Sequence, residues 1–157
     1  MELVDCQDIP RKEDVEKLFK EDADVVRMYN NFIKMKKLCE ETKGVGLSAV
    51  QVGLPLSMFV AKLDAGWRNF LNCEYERAPD AKEIKSLEGC LSLPGRGFRV
   101  SRHDRIVVRG QDMIVDADIL VRDIEEELTG FDAIVVQHEI DHQNGILISD
   151  IGTEVDT

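Results

Sequence analysis

The sequence lacks any apolar run that approaches the roughly 20 residues a membrane-spanning helix needs. Its first ten residues, MELVDCQDIP, contain no basic segment followed by an apolar one, so they do not resemble a secretory signal. Basic residues are scarce, since 20 lysines and arginines face 31 aspartates and glutamates, for a net charge of -11. General binding of nucleic acid or of an anionic membrane requires a basic face. We therefore expect a cytoplasmic protein that binds neither membranes nor nucleic acid.

Cysteine pairs of the C-x-x-C type are also absent. The four cysteines are widely spaced, and in a cytoplasmic chain such thiols are usually reduced. Hydrophobic residues make up 43% and charged residues 32%, which is ordinary for a globular protein. A length of 157 residues suits one domain with its own core, so we expect a single domain over residues 1–157.

The strongest chemical signal is the sequence HEIDH, in which His138 and His142 lie four residues apart with Glu139 beside the first. On a helix, residues at i and i+4 lie one above the other on the same face. Both imidazoles can therefore reach one metal ion, with the carboxylate beside whatever else that ion holds. The alternative is a pair of core histidines bonded to backbone carbonyls, but this spacing with an intervening glutamate favours a metal site.

Helical patterning surrounds this motif from Phe131 to Gly145. Thr129 and Asp132 have the spacing of a capping box at its start, and Gly145 is a natural stop. A second helix is predicted from about Val25 to Thr42 with Asp24 as its N-cap, and a weaker one from Arg11 to about Lys20. Strand patterns are predicted at Ser57–Leu63 and Arg68–Asn72, with two or three more between Gly97 and Asp123 and a solvated loop from Glu74 to Lys85. The expected fold is α+β, with small antiparallel or mixed sheets packed around a central metal-binding helix.

Two further stretches hold candidate functional residues. The glycine-rich segment from Gly44 to Gly53 has no G-x-x-x-x-G-K-[ST] pattern, so a phosphate loop is excluded, and an ordinary helix-to-strand turn stays open. Within it, the Gln51 amide could donate to a developing oxyanion. Cys90, in the segment EGCLSLPG, could be a core thiol, a nucleophile or a third metal ligand. Its spacing from the histidines does not decide between these roles.

Taken together, these three segments resemble the three motifs of peptide deformylases. The family pattern G-φ-G-φ-A-A-x-Q is similar to Gly44–Gln51, E-G-C-φ-S is similar to Glu88–Ser92, and Q-H-E-x-D-H-φ-x-G is similar to Gln137–Gly145. Ser48 departs from the usual alanine, a small polar change, and Gln143 replaces the usual leucine, so we expect that position to be exposed.

The resemblance implies a hydrolase that removes the formyl group from the N-terminal formyl-methionine of new polypeptides. By similarity Cys90, His138 and His142 would hold one divalent metal, with Fe2+ favoured and Ni2+, Co2+ or Zn2+ as substitutes. Three protein ligands and an open position are typical of catalytic metal sites, where hydroxide becomes available near neutral pH. That hydroxide is expected to attack the formyl carbon, while the metal, the Gln51 amide and the Leu91 backbone N–H hold the oxyanion. Glu139 would carry the proton from the water to the departing amine.

Supporting and substrate-binding residues follow less directly. Asp141 is expected to hold a metal-ligating imidazole, and Glu88 to pair with Arg102 by family similarity. A methionine side chain requires an apolar wall, although plain core packing explains each candidate nearly as well. The substrate-binding candidates are Val45, Gly46, Gly89, Phe131, Ile134 and Val135. The implied partners are nascent formyl-methionyl chains, with at most weak ribosome proximity, for a monomer of bacterial type or encoded by a virus in a bacterial host.

Two rival functions share part of this pattern. A zinc peptidase also uses H-E-x-x-H, but Ile148 stands where one class places its third histidine, and Glu154 is the only glutamate further along for another class. A metal-stabilised binding module would need neither Glu139 nor Gln51. The sequence therefore favours a deformylase-like hydrolase.

Overall fold

A five-stranded antiparallel sheet with a helix on each face makes up the larger part of the structure, a computed structural model that describes residues 1–18 and 22–156. Its strand order is β1-β2-β3-β6-β7. These strands are β1 (Gly46–Ser48), β2 (Met58–Leu63), β3 (Gly66–Arg77), β6 (Arg105–Asp116) and β7 (Asp118–Thr129).

The central strand β2 shows why both faces are covered. Met58 and Val60 point to the helix α1 (Asp22–Glu41), whereas Phe59 and Ala61 point to the opposite face and to α2 (Gly130–Gln143). Successive side chains of a strand alternate between faces, so a strand buried on both faces reads as a continuous apolar run. The sheet is therefore a packed layer between two helices.

The first long helix confirms the predicted stripe. Met28, Phe32, Met35 and Cys39 are all buried against the sheet. The helix begins at Asp22, before the predicted start, so Asp24 lies within it and is not the N-cap.

The second helix, α2, confirms the predicted metal-motif helix but begins at Gly130 without the predicted capping box. Thr129 makes no side-chain capping bond, and Asp132 instead accepts a hydrogen bond from the backbone N–H of Asp64 at 2.9 Å. At the other end Asn144 is the C-cap, and Gly145 takes the left-handed conformation, with φ of 73°. The predicted stop is thus confirmed.

A smaller three-stranded sheet lies beside the first, in the order β4-β5-β8. It consists of β4 (Glu83–Cys90), β5 (Leu93–His103) and β8 (Thr153–Val155), and the short helix α3 (Ile148–Ile151) precedes its last strand. Leu93, Phe98, Val100 and Ile148 form its apolar core. Because β4 is an edge strand that ends at Cys90, one side of it is free beside the metal motif.

Two predicted segments are corrected by the structure. Most of the segment from Glu74 to Lys85 is sheet, because β3 continues to Arg77 and β4 begins at Glu83. The weak helix predicted from Arg11 to Lys20 is instead a single 3-10 turn, Lys12–Asp14, followed by a bridge between Glu16 and Leu56, while residues 19–20 lie outside the described residues.

Within residues 1–18 and 22–156, no helix combines the length and the apolar character required to cross a membrane.

Candidate active site

The three predicted ligand residues meet where α2 faces the end of β4. One ligand atom from each of Cys90, His138 and His142 lies within 4.8 Å of the other two. The Cys90 Sγ and the His142 Nε2 are 3.5 Å apart. A sulfur and a nitrogen on one tetrahedral metal ion would be roughly 3.6 Å apart. The three atoms are therefore spaced so that they could hold one ion.

The His138 ring is oriented by Glu88 on β4, which lies 2.8 Å from its Nδ1. Burial lowers the pKa of His138, but hydrogen bonds with Cys90 and Glu88 outweigh burial and raise it to about 10. Metal binding releases protons from its ligands, so a divalent cation held by this ring would compete with its protonation.

Asp141 was expected to hold one of these rings, and that expectation is wrong. Its two carboxylate oxygens accept hydrogen bonds from the Tyr75 hydroxyl at 2.8 Å and from Arg102 at 2.6 Å. Arg102 also donates twice to Glu88, at 2.7 and 2.8 Å, so the predicted pair between these residues is confirmed. The buried guanidinium thus joins the two acids, and Glu88 is the one that reaches the imidazole.

His142 lies deeper, with only 1% of its surface exposed. Burial lowers the pKa of His142 well below its usual range, and the positive charge of His138 lowers it further. The ring is therefore neutral, as a metal ligand must be. In the described part of the chain its Nδ1 has no hydrogen-bond partner, while Nε2 faces Cys90.

The Gln51 side chain is held with its amide NH2 group toward Cys90. Its Oε1 accepts a hydrogen bond from the backbone N–H of Ser48 at 2.9 Å. Because a backbone N–H can only donate, this bond fixes which end of the amide is which. The Nε2 atom then lies 3.0 Å from the Ser92 Oγ and 3.6 Å from the Cys90 Sγ. A donor is thus positioned beside the ligand cluster.

Glu139 is buried beside the same cluster, with 3% of its surface exposed. Burial raises its pKa to about 7, although the charge of His138 and a hydrogen bond from Ser48 oppose that rise. A carboxyl group with a pKa near 7 can both take and return a proton at neutral pH. A Cβ atom on Gly46 would come within 2.4 Å of the Glu139 Oε2, so only glycine leaves room for this carboxylate.

One cleft of about 940 Å³ is lined by all of the predicted site residues except His142. The volume is within the usual range for small-ligand sites. The predicted site residues that line the cleft are Val45, Gly46, Gln51, Gly89, Cys90, Leu91, Phe131, Ile134, Val135, His138 and Glu139. The substrate-binding candidates differ in burial, since Phe131 is 53% exposed at the rim and Val135 is only 4% exposed.

Several contacts of this site were not predicted. Gln143, expected to be exposed, is only 5% exposed, and its Oε1 accepts a hydrogen bond from the Ser57 hydroxyl. The sequence could have indicated the contact between Ser92 and Gln51, since Ser92 belongs to the second motif. It could not have indicated Tyr75, because only the sheet brings that residue to Asp141. Nor does the sequence indicate that Leu87, which is 70% exposed, lies on the cleft wall.

Comparison with known proteins gives consistent matches. A family model described as Polypeptide deformylase matches residues 11–156. A peptide deformylase of Rhodopirellula baltica is 43% identical over 128 residues, covering 77% of this chain and 59% of that protein. This chain thus spans less than two thirds of that relative. A peptide deformylase of Dictyoglomus turgidum is 33% identical over 157 residues, covering 100% of this chain and 95% of that protein.

Among solved structures, a probable peptide deformylase from Synechococcus phage S-SSM7 has a TM-score of 0.79 and 25% sequence identity. The match covers 96% of this chain and 99% of that one. The likeness therefore extends over both sheets and the helix that bears the ligand cluster.

Proposed function

This chain belongs to the polypeptide deformylase family, and from that premise we propose that it hydrolyses the N-formyl group of formyl-methionyl peptides and releases formate. The observation that carries the proposal is the position of Glu139 on the cleft wall beside a thiol and two imidazoles whose ligand atoms lie within 4.8 Å of one another. A cluster that served only structure would need neither the buried carboxylate nor the aimed Gln51 amide.

Cys90, His138 and His142 would hold one divalent metal ion. The mixture of sulfur and nitrogen ligands, their close spacing and the lowered pKa of His142 support this assignment. When bound, the ion would supply Lewis acidity and a water of lowered pKa. We favour Fe2+, as the family resemblance implies, with Ni2+, Co2+ or Zn2+ able to substitute.

Glu139 would move the proton. Its carboxylate lies at the cleft wall, and a pKa raised to about 7 by burial makes it a base that can later act as an acid. It would take a proton from the attacking water and deliver it to the amine that leaves when the formyl C–N bond breaks. The products are formate and a free amino terminus.

Gln51 and the backbone of Leu91 would stabilise the charge that develops on the formyl oxygen. The Gln51 NH2 group points toward Cys90, and Leu91 follows Cys90 in the same cleft wall. Donors held in place before the reaction cost little reorganisation when charge develops. Gln51, Leu91 and Glu139 all line the one cleft, so a formyl group bound there could contact the donors and the carboxylate together.

The peptide itself would lie along the two backbone segments that border the cleft. Val45 and Gly46 border it on one side, and Gly89 on the edge strand β4 borders it on the other. An extended peptide can add to an exposed strand edge through main-chain hydrogen bonds. The methionine side chain would contact Phe131, Ile134 and Val135 of α2.

The proposed setting follows from that substrate. Nascent chains with a formylated start occur in a bacterial-type cytoplasm, including that of a cell infected by a virus that encodes such an enzyme. We propose that the protein acts there as a monomer, with weak ribosome proximity at most.

Product analysis tests which bond is broken. Formyl-Met-Ala-Ser should be converted to Met-Ala-Ser with equimolar formate. Cleavage of an internal peptide bond instead would favour the peptidase alternative. That alternative is disfavoured because Ile148, at the position of a third histidine, is an apolar residue that is 2% exposed.

A further inference from the structure

Ser48 contacts both side chains to which the proposed function assigns the chemistry beside the metal ligands. Its backbone N–H donates to Gln51 Oε1 at 2.9 Å. Its hydroxyl lies 2.7 Å from the backbone oxygen of Glu139 and 3.2 Å from the Oε1 of the same residue. Ser48 is fully buried, so no solvent competes for these bonds.

The alternation of β1 explains how this strand holds the Glu139 carboxylate. Gly46 and Ser48 are two residues apart and therefore lie on the same face, toward α2, while Leu47 packs into the core on the α1 side. Gly46 leaves space beside the Oε2 of Glu139, and the hydroxyl of Ser48 lies beside its Oε1. One carboxylate oxygen is thus given room and the other a polar neighbour.

A hydroxyl has one proton to donate and two lone pairs that accept. The Ser48 hydroxyl can therefore donate either to the backbone oxygen of Glu139 or to its Oε1, since both lie within hydrogen-bond reach. The residue that presents its carboxylate to the cleft is thus tied to β1 both at its backbone and at its side chain.

We propose that Ser48 is a positioning residue whose hydroxyl holds the Glu139 carboxylate at the cleft wall, beside the Gln51 side chain that the Ser48 backbone N–H holds. The inference rests on the proposed function, because that function assigns the proton transfer to Glu139. Only hydrogen bonds are involved at Ser48. An alanine at this position would lack the hydroxyl and would leave the Oε1 of Glu139 without this contact.

The purely structural alternative is that the Ser48 hydroxyl only ties β1 to α2 through the backbone oxygen of Glu139. The test compares Ser48→Ala with the wild type in formate release from formyl-Met-Ala-Ser, with kcat, KM, bound metal and melting temperature measured for each. Ser57→Ala is the matched control, because it removes another buried hydroxyl that bonds to α2, at Gln143, away from the cleft wall.

We expect kcat of Ser48→Ala to fall by about 3- to 10-fold, the effect of one lost hydrogen bond, while KM and metal content stay unchanged. Ser57→Ala should keep its kcat even where its melting temperature falls. Unchanged kcat in Ser48→Ala would overturn the inference. So would a loss shared with Ser57→Ala, or one that appears only in KM or follows loss of metal. If neither the variants nor the metallated wild type released formate, the proposed function would be refuted, and this inference with it.

Discussion

Gly46 contributes to the site by lacking a side chain. A Cβ atom there would lie 2.4 Å from the Oε2 of Glu139 and 2.9 Å from its Cγ, closer than atoms approach. In Gly46→Ala the carboxylate must move, because it is the more adaptable partner. A displacement of about 1 Å from the reacting atoms can cost on the order of 100-fold in rate. We therefore expect kcat for formate release to fall about 100-fold.

The Gly46→Ala protein should still fold and bind metal, because the three atoms nearest to the added methyl group all belong to the Glu139 side chain and not to a ligand residue. Metal content and melting temperature, measured beside kcat, separate a displaced carboxylate from a damaged fold. Near wild-type turnover in a metallated variant would contradict the role given to this close approach.

At the scale of single residues, the sequence predicts side chains whose spacing or motif defines their chemistry. The histidines and Glu139 follow from helical geometry, and Cys90 follows only from the family resemblance. The partners of Asp141 and Gln143 could not be predicted. Each bonds to a residue on another element, Tyr75 and Ser57, and only the packed sheet brings these together.

Glu88 links elements, because it extends from β4 to His138 on α2 and to Arg102 on β5. Burial raises the pKa of Glu88, but hydrogen bonds from Arg102 and His138 outweigh that effect and lower it to about 2. Since the folded-state pKa lies below the unfolded value, the stabilisation is complete above roughly pH 4.5 and is lost as pH falls toward 2. Its size is on the order of 3 kcal/mol.

We expect Glu88→Gln to lower the free energy of unfolding of the metal-free protein at pH 6 by about 3 kcal/mol. The difference from the wild type should shrink as pH falls from 4.5, because the wild-type carboxylate is then protonated and resembles the amide. Urea unfolding between pH 6 and pH 3 measures both quantities. A gap that stays constant over this range would show that the Glu88 charge does not stabilise the fold.

At the scale of elements, the long helices and β2 could be predicted from the sequence, because each has one apolar stripe or run that indicates it. The capping box at Thr129 was predicted wrongly, since the Asp132 carboxylate finds the exposed N–H of Asp64, a partner that local spacing does not reveal. Strands rich in charged residues are equally hard to predict. β4 alternates between exposed and partly buried residues, and its charged side chains led to the prediction of a loop at its start.

The whole molecule is joined at the ligand cluster. The two histidines belong to the helix that covers the larger sheet, whereas Cys90 ends a strand of the smaller sheet. A metal ion bound by all three would therefore cross-link the two sheets and stabilise the folded state alone. At about 1,000 times Kd, such binding contributes about 4 kcal/mol. For a chain of this size, that corresponds to a rise in melting temperature of roughly 8 to 16 °C.

Thermal unfolding of chelator-treated protein, before and after addition of Ni2+, measures this effect. Cys90→Ala should lose most of the rise because only two ligands remain. Cys6→Ala is the matched control, since its thiol packs against the same apolar cluster without belonging to the three ligands. Equal rises in the two variants would contradict the assignment of Cys90.

At this largest scale, the α+β class and the packing of sheets around a central helix were predicted, and the structure confirms both. The strand order β1-β2-β3-β6-β7 was not, because it depends on pairings between distant segments, with β3 skipping the two strands that follow it. Which strands pair is decided by side chains from several elements at once, so the pattern of one strand alone does not predict it.

The central claim is that Glu139 transfers the proton during deformylation at a metal held by Cys90, His138 and His142. The measurement that tests it most directly is formate release from formyl-Met-Ala-Ser by Glu139→Gln and wild-type protein, purified without oxygen and matched in metal content. The amide keeps the shape of the side chain but cannot take the proton, so we expect rapid release by the wild type and a loss of about 100- to 10,000-fold in the variant. Equal release by the two proteins would contradict the account.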